Sequence, residues 1–400
     1  MTLCCALAVA TPAGASAASV AHRTGLAEAV VAIDRSNAVI AGFRHGHVVL
    51  ARLDRAGRPY ARRDLGATKI QHGDLRIAMS GDRVAVAWLE QQDAIVLART
   101  GRRGGRVRRD RLTGRGVLFH ELAVNSHGEV VDLFKDEAHF DDPGVSALVA
   151  QPGHAARRAQ ILAPTPRNPN LAGIGVDGAG GFHVSWVAEG PGRYELLGTA
   201  DADPRGAFGP PAEQDLGSSL FGLDVATAAD GSQLAAYERR SGRGEFLLVT
   251  ARRPAVGRWQ APVTVKRLGD VDGAFGLAIT PQGDGLLAYS RARVGGVLLA
   301  AAGEPRELQI GRGLLEGVVQ ARGRARILWS RFGRRSRLET ATVDLASGRV
   351  TRPRVAVRDC YGEVGEDEDR PGRVAGDAAG EVVVVLSCGE RPHAAVARLA

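Results

Sequence analysis

Glu121, Asp136, Glu137 and Asp141 are the residues of this chain whose types and spacing best suit chemistry. Two carboxylates flanking a bond are the minimum for cleaving a glycosidic linkage, one as acid and one as base or nucleophile. His139 lies among them in the run Lys135-Asp136-Glu137-Ala138-His139-Phe140-Asp141-Asp142 and could hold a ligand or exchange a proton. A second group is basic. Arg239, Arg291 and Arg331 each follow an apolar strand, and a guanidinium pairs a carboxylate bidentately. A third group, Glu366, Asp367 and Asp369, belongs to an acidic run that could hold calcium, although the D-x-[DN]-x-[DN]-G spacing is missing. Solvated loops and an arginine-rich composition compete with these readings. No Ser-His-Asp arrangement, H-E-x-x-H, C-x-x-C, Walker loop or dinucleotide fingerprint occurs. No cofactor is therefore expected, calcium being the one ion the sequence suggests.

These groups need a scaffold, and internal repeats identify it. One phrase recurs: a short apolar strand, a Gly/Asp/Asn turn, a second apolar strand ending near an aromatic, a polar loop, and a third apolar strand. The second strands end at Phe43, Trp88, Phe134, Trp186, Tyr237, Tyr289, Trp329 and Leu386, a spacing of about 47 residues. Aromatics make up only 5% of the chain, so their return at this position marks a repeat. Such a recurring residue belongs to the packing between units. The turns Gly81-Asp82, His127-Gly128, Asp177-Gly178, Asp230-Gly231, Gly283-Asp284 and Ala379-Gly380 suit hairpins. Most units add a more polar fourth strand, such as Val107–Leu112. Apolar inner strands with a weak outer one describe a four-stranded propeller blade. No segment sustains a helical period, and the rungs of a β-helix are shorter than this repeat. The expected fold is all-β: a single β-propeller of antiparallel blades, eight by the repeat and seven if one unit is a decorative hairpin. The units span about 26–66, 74–114, 118–163, 171–217, 220–268, 274–311, 315–356 and 373–400.

The pattern D-G-x-G followed by a strand ending in Trp, as in Asp177–Trp186, resembles secreted bacterial propeller repeat proteins, loosely sialidase-like. The resemblance covers residues 26–400 and is one of pattern. The Asp-box S-x-D-x-G-x-x-W is absent from every unit, so no catalytic residue is carried over.

With strands lettered A to D from the axis outwards, B–C loops and D–A connections share one face, while A–B and C–D turns share the other. Loops carry most sites, and the candidates above fall on the B–C face. The eighth unit has three strands before the chain ends, so Ser19–Arg23 is expected to supply its outer strand and close the ring. Cys360 lies in the longest D–A connection, Val357–Gly372, and Cys388 ends strand B of unit eight. A disulfide between them would pin that connection.

Residues 1–17 read as a signal peptide, with an apolar run Leu3–Ala10 and an A-x-A cleavage pattern at Ala15-Ser16-Ala17. Residues 18–400 form the propeller domain. Removal of the signal takes Cys4 and Cys5 with it and leaves an even count, as a disulfide in an exported protein requires. No later stretch reaches the ~18 apolar residues of a membrane span. The net charge is +8, but only Lys69, Lys135 and Lys266 are lysines among 52 basic residues, and the arginines are spread throughout. Without a basic helix or aromatic-interleaved basic strand, nucleic acid is not expected as a partner. The chain thus reads as a secreted, monomeric, non-catalytic propeller offering a polar face to an extracellular glycan, cell-wall polymer or protein. The alternatives are a glycoside hydrolase or lyase using the carboxylates of unit three, and a structural scaffold.

Overall fold

The computed structural model describes residues 21–24, 26–35, 37–68, 74–90, 94–101, 105–113, 117–136, 144–162, 170–189, 195–217, 220–269, 274–290, 293–301, 304–332, 336–361, 374–388 and 394–399. They form a β-propeller of eight antiparallel blades, with no helix among the described residues. The first seven blades are four-stranded sheets in sequence order, such as Val117–Val124, Val130–Asp136, Gly144–Ala150 and Arg157–Leu162 in blade three. Inner strands touch inner strands from blade one round to blade eight and back to blade one.

The reason for strands lies in the side chains. Strand B of blade two, Arg83–Glu90, is buried on both faces from Val84 to Leu89, because each face packs on a neighbouring blade. Such a strand needs Val, Ala and Trp without a polar alternation. The aromatics that end strand B fill the gaps between blades: Trp88, Trp186, Trp329, Tyr237 and Phe134 are all fully buried, as expected from their recurrence. Near the axis the blades converge, and at some inner-strand positions only glycine fits. A Cβ on Gly376 would fall 1.8 Å from Val319 Cγ1 of the preceding blade.

The A–B hairpins follow one plan. Asn125, Asp177 and Asp377 each accept a backbone N–H four residues on, at 3.0, 2.8 and 3.0 Å, and a glycine with positive φ completes the turn. In blade four that glycine is Gly180 (φ 91°), not Gly178 of the Asp177-Gly178 pair singled out by sequence.

Ring closure follows the expected route. His22–Arg23 pairs antiparallel with Ala394–Leu399 and forms the outer strand of blade eight, His22 opposite Val396. The inner edge of that blade comes in two pieces. Cys360–Tyr361 and Val374–Gly376 both pair with Val382–Cys388. The stretch 357–372 is therefore not wholly a connection between blades, since the inner strand already begins at Cys360. Cys360 lies directly opposite Cys388 in the register.

Arginine explains how the A–B and C–D face holds together. Arg99 of blade two donates to Gln151 O at 2.8 Å and His154 O at 2.6 Å of blade three. Arg252 of blade five reaches Leu299 O at 2.7 Å of blade six, Arg326 of blade seven reaches Gly380 O at 3.2 Å of blade eight, and Arg398 of blade eight reaches Asp54 O at 3.3 Å of blade one. Arg63, Arg83 and Arg306 make the same kind of bond to Gly105 O, His127 O and Ser347 O. A planar fork of donors suits turn carbonyls that have no strand partner. Between blades four and five an ionic network replaces it. His183 Nδ1 donates to Asp201 Oδ1 at 2.9 Å and Nε2 to Asp177 Oδ2 at 3.1 Å, while Arg253 donates to Asp201 Oδ1 at 2.8 Å and Gln233 Oε1 at 2.9 Å.

Candidate functional site

Glu121 sits on the inner strand of blade three, with its Oε1 3.5 Å from Arg76 Nε of the inner strand of blade two. Burial pushes its carboxyl up, and Arg76 and His120 oppose the shift. His120, beside it, is fully buried, its Nδ1 2.9 Å from Asp132 Oδ1 and its Nε2 3.1 Å from the Asp74 carbonyl. Burial alone would lower its pKa, but the Asp132 carboxylate outweighs that and the net shift is upward. Both nitrogens thus face protein acceptors, which hold the ring on both sides. Asp136 ends strand B of blade three opposite Val117 and Gly144. Glu137, His139, Asp141, Arg291, Glu366, Asp367 and Asp369 lie outside the described residues. No group of three metal-ligating side chains is found among the described residues.

The arginines fare differently from one another. Arg239 lies near the end of strand B of blade five, between Leu220 and Leu247 of its neighbouring strands. Arg331 ends strand B of blade seven and lines a cleft of about 750 Å³ between blades six and seven. Arg293, Arg312 and Arg331 line this cleft together with Tyr289, Glu307 and Glu339.

Several local features open it. Tyr289 occupies the aromatic position of blade six, yet it is only partly buried where its counterparts are sealed. Its ring crosses Gly295, where any Cβ would lie 2.7 Å from the hydroxyl. Burial and Glu307 raise the tyrosine pKa and Lys266 opposes them, so Tyr289 is a neutral phenol at physiological pH. In blade seven, Trp329 Nε1 donates to Glu339 Oε2 at 3.1 Å, and Arg337 Nε donates to Glu339 Oε1 at 2.6 Å. Lys266 holds Glu307 at 2.6 Å. The two acids of the lining are thus neutralised, and Arg331 stands 3.9 Å from Glu339 with its side chain 48% exposed. Arg293 and Arg312 are exposed, and neither has an ion-pair or hydrogen-bond partner among the described residues.

Sequence reasoning found Arg331 by its place at the end of a strand but missed Arg312, Glu339 and the exposure of Tyr289. The available signals were Arg312 between Gly311 and Gly313, and Gly295, which pairs with Tyr289. A further titratable group was also missed. Asp224, on the inner strand of blade five, is raised to about 6 by burial, with backbone N–H groups of Val225 and Leu277 opposing.

No family model matches the chain, and no curated protein matches it. Solved structures do. A puromycin hydrolase S511A mutant complexed with PGG is 14% identical (TM-score 0.50), the match covering 91% of this chain and 58% of that one. A structure from a study of two prolyl endopeptidases is 13% identical (TM-score 0.52), over 91% and 54%. A polysaccharide lyase of family PL25, an ulvan lyase bound to -[GlcA(1-4)Rha3S]-, is 9% identical (TM-score 0.51), over 95% and 94%. This chain therefore spans little more than half the length of the puromycin hydrolase and of the prolyl endopeptidase structure. At these identities the likeness is one of fold.

Proposed function

We propose that this chain is a secreted, non-catalytic binding propeller whose site is the cleft between blades six and seven, and whose ligand is an extracellular glycan or cell-wall polymer. One observation carries the reading: Tyr289, alone among the described aromatics that end strand B, is partly exposed, and it shares a cleft with Arg293, Arg312 and Arg331. A phenol ring beside guanidinium forks is suited to a sugar ring bearing polar substituents. The volume is that of a ligand site. The ulvan lyase, whose structure contains a uronate- and sulfate-bearing saccharide, shares the architecture and lends the glycan class some support.

Export and the cysteine bond belong to the same reading. The A-x-A pattern at Ala15-Ser16-Ala17 supports cleavage after residue 17. The register that sets Cys360 opposite Cys388 supports a disulfide, since directly paired antiparallel residues have Cα atoms about 4.5–5.5 Å apart. The enzymatic alternative rests on Glu121, whose carboxyl is pushed up by burial, the direction a general acid requires. Its ion pair with Arg76 and the His120 nitrogens held by protein acceptors favour a structural role.

The deciding experiment incubates the mature protein with a panel of extracellular oligosaccharides and reads retention and mass together. Retention without mass change is expected. A cleaved product that disappears with Glu121→Gln would replace this reading by the enzymatic one.

A further inference from the structure

We infer that the cleft between blades six and seven selects polyanionic saccharides, engaging a carboxylate or sulfate from both of its walls. The inference rests on the binding reading above and adds the charge class of the ligand and the residues that recognise it.

Charge is the first argument. Glu307 is held by Lys266 and Glu339 by Arg337 and Trp329, so both acids in the lining are neutralised by groups that do not themselves line the cleft. Arg293 and Arg312 have no partner among the described residues, and Arg331 keeps a single long contact at 3.9 Å. The lining is therefore net positive. Elsewhere in this molecule many arginines are tied to carbonyls of the next blade, as Arg252, Arg326 and Arg398 are. Other arginines, such as Arg109, also lack a partner among the described residues, but Arg293, Arg312 and Arg331 are gathered in the lining of one cleft.

Placement is the second. Arg293 begins the approach to strand C of blade six, Arg312 follows strand D of blade six, and Arg331 ends strand B of blade seven. The three guanidinium groups thus belong to both sides of one gap. Each can take a carboxylate or sulfate in the bidentate manner that arginine favours over lysine. Toward the opposite face Arg306 ties blade six to Ser347 O of blade seven, which holds the gap at a set width.

Shape is the third. Tyr289, Leu308, Ile310 and Pro353 supply apolar wall between the charges. A chain of acidic sugar rings presents flat apolar faces with anions at its edges, which matches this alternation more closely than an acidic peptide, whose carboxylates ride on flexible stems.

The test measures binding of the full-length mature protein to four probes by calorimetry: oligogalacturonate, the same oligomer with its carboxyls reduced to alcohols, a chondroitin sulfate oligomer, and poly-glutamate. Oligogalacturonate or the sulfated oligomer is expected to bind, the favoured one identifying the anion. Carboxyl reduction should weaken oligogalacturonate binding at least tenfold. Arg312→Gln and Arg331→Gln should each weaken the preferred anionic probe about tenfold, whereas Arg109→Gln on the outer strand of blade two should leave it unchanged. Equal loss with Arg109→Gln would show diffuse charge attraction and overturn the inference. Equal binding of the reduced oligomer, abolished by Gly295→Trp, would overturn the charge class while keeping the cleft as a glycan site. Preference for poly-glutamate would overturn the saccharide. Failure of every saccharide, neutral or charged, would sink the binding reading itself.

Discussion

On the face made by A–B and C–D turns, arginines of one blade bond the carbonyls of the next, and glycine-containing Asx turns repeat from blade to blade. On the opposite face at blades six and seven, Arg293 and Arg312 have no such partner among the described residues, and an aromatic that is sealed in other blades is partly exposed. The same residue types thus serve two ends. Where turns are short and superimposable, an arginine finds a carbonyl at a constant place. Where a gap separates two blades, the charge stays available for a ligand. Composition therefore misleads in this protein: a net charge of +8 does not separate arginines that hold the ring, such as Arg99, Arg252 and Arg326, from those gathered at a cleft, such as Arg293, Arg312 and Arg331.

The aromatics should separate the two regions most strongly. Trp186→Ala, at a fully buried position, should cost about 3–5 kcal/mol in denaturant unfolding, whereas Tyr289→Ala should cost far less and act instead on ligand retention. Equal destabilisation by the two would mean that Tyr289 is ordinary core. Reduction of the proposed Cys360–Cys388 bond, which would close a loop of about 29 residues, should lower stability by about 3 kcal/mol. Unchanged unfolding under reducing conditions, together with two titratable thiols, would dismiss the bond.

A smaller effect should separate the faces by charge. Arg252→Gln removes bonds to Leu299 O and Ala300 O and should destabilise by about 1–3 kcal/mol, while Arg312→Gln should leave the melting temperature where it is. A loss with Arg312→Gln as large as with Arg252→Gln would erase the distinction.

The smallest effects should appear in pH dependence. Asp224 is raised in the folded state, so the unfolded chain ionises first, and the folded state is progressively disfavoured as pH rises from about 4 to about 6. Asp224→Asn should therefore raise the melting temperature at pH 7 and leave it nearly unchanged at pH 3.5. His183 behaves oppositely. Burial lowers its pKa, but Asp201 and Asp177 outweigh burial and raise it, so its contribution is complete below about 6.5 and fades as pH rises through the folded value. His183→Gln should destabilise more at pH 5.5 than at pH 8.5, as read by thermal melts.

The blades are legible in the amino-acid sequence. Trp88, Trp186 and Trp329 recur because each fills the same inter-blade gap, and glycines such as Gly231 and Gly283 recur because the hairpin needs positive φ there. Repetition makes such positions legible, since one physical demand is written many times along the chain. The outer strand from His22–Arg23 was legible for the same reason, because a three-stranded last blade leaves an edge to cover. Only the tertiary structure decided the candidate site. Tyr289 shares its repeat position with buried aromatics, and its cross-strand partner Gly295 does not by itself predict exposure, since Trp186 lies against Gly198 and is fully buried. The tyrosine shares its cleft with Glu307 and Ile310 of strand D of blade six and with Arg331 and Glu339 of blade seven. Glu121 shows the converse: its sequence neighbourhood suggested catalysis, but Arg76, a full blade away, sits against it. A site made where two repeats meet is a relation between units, and no single repeat encodes it.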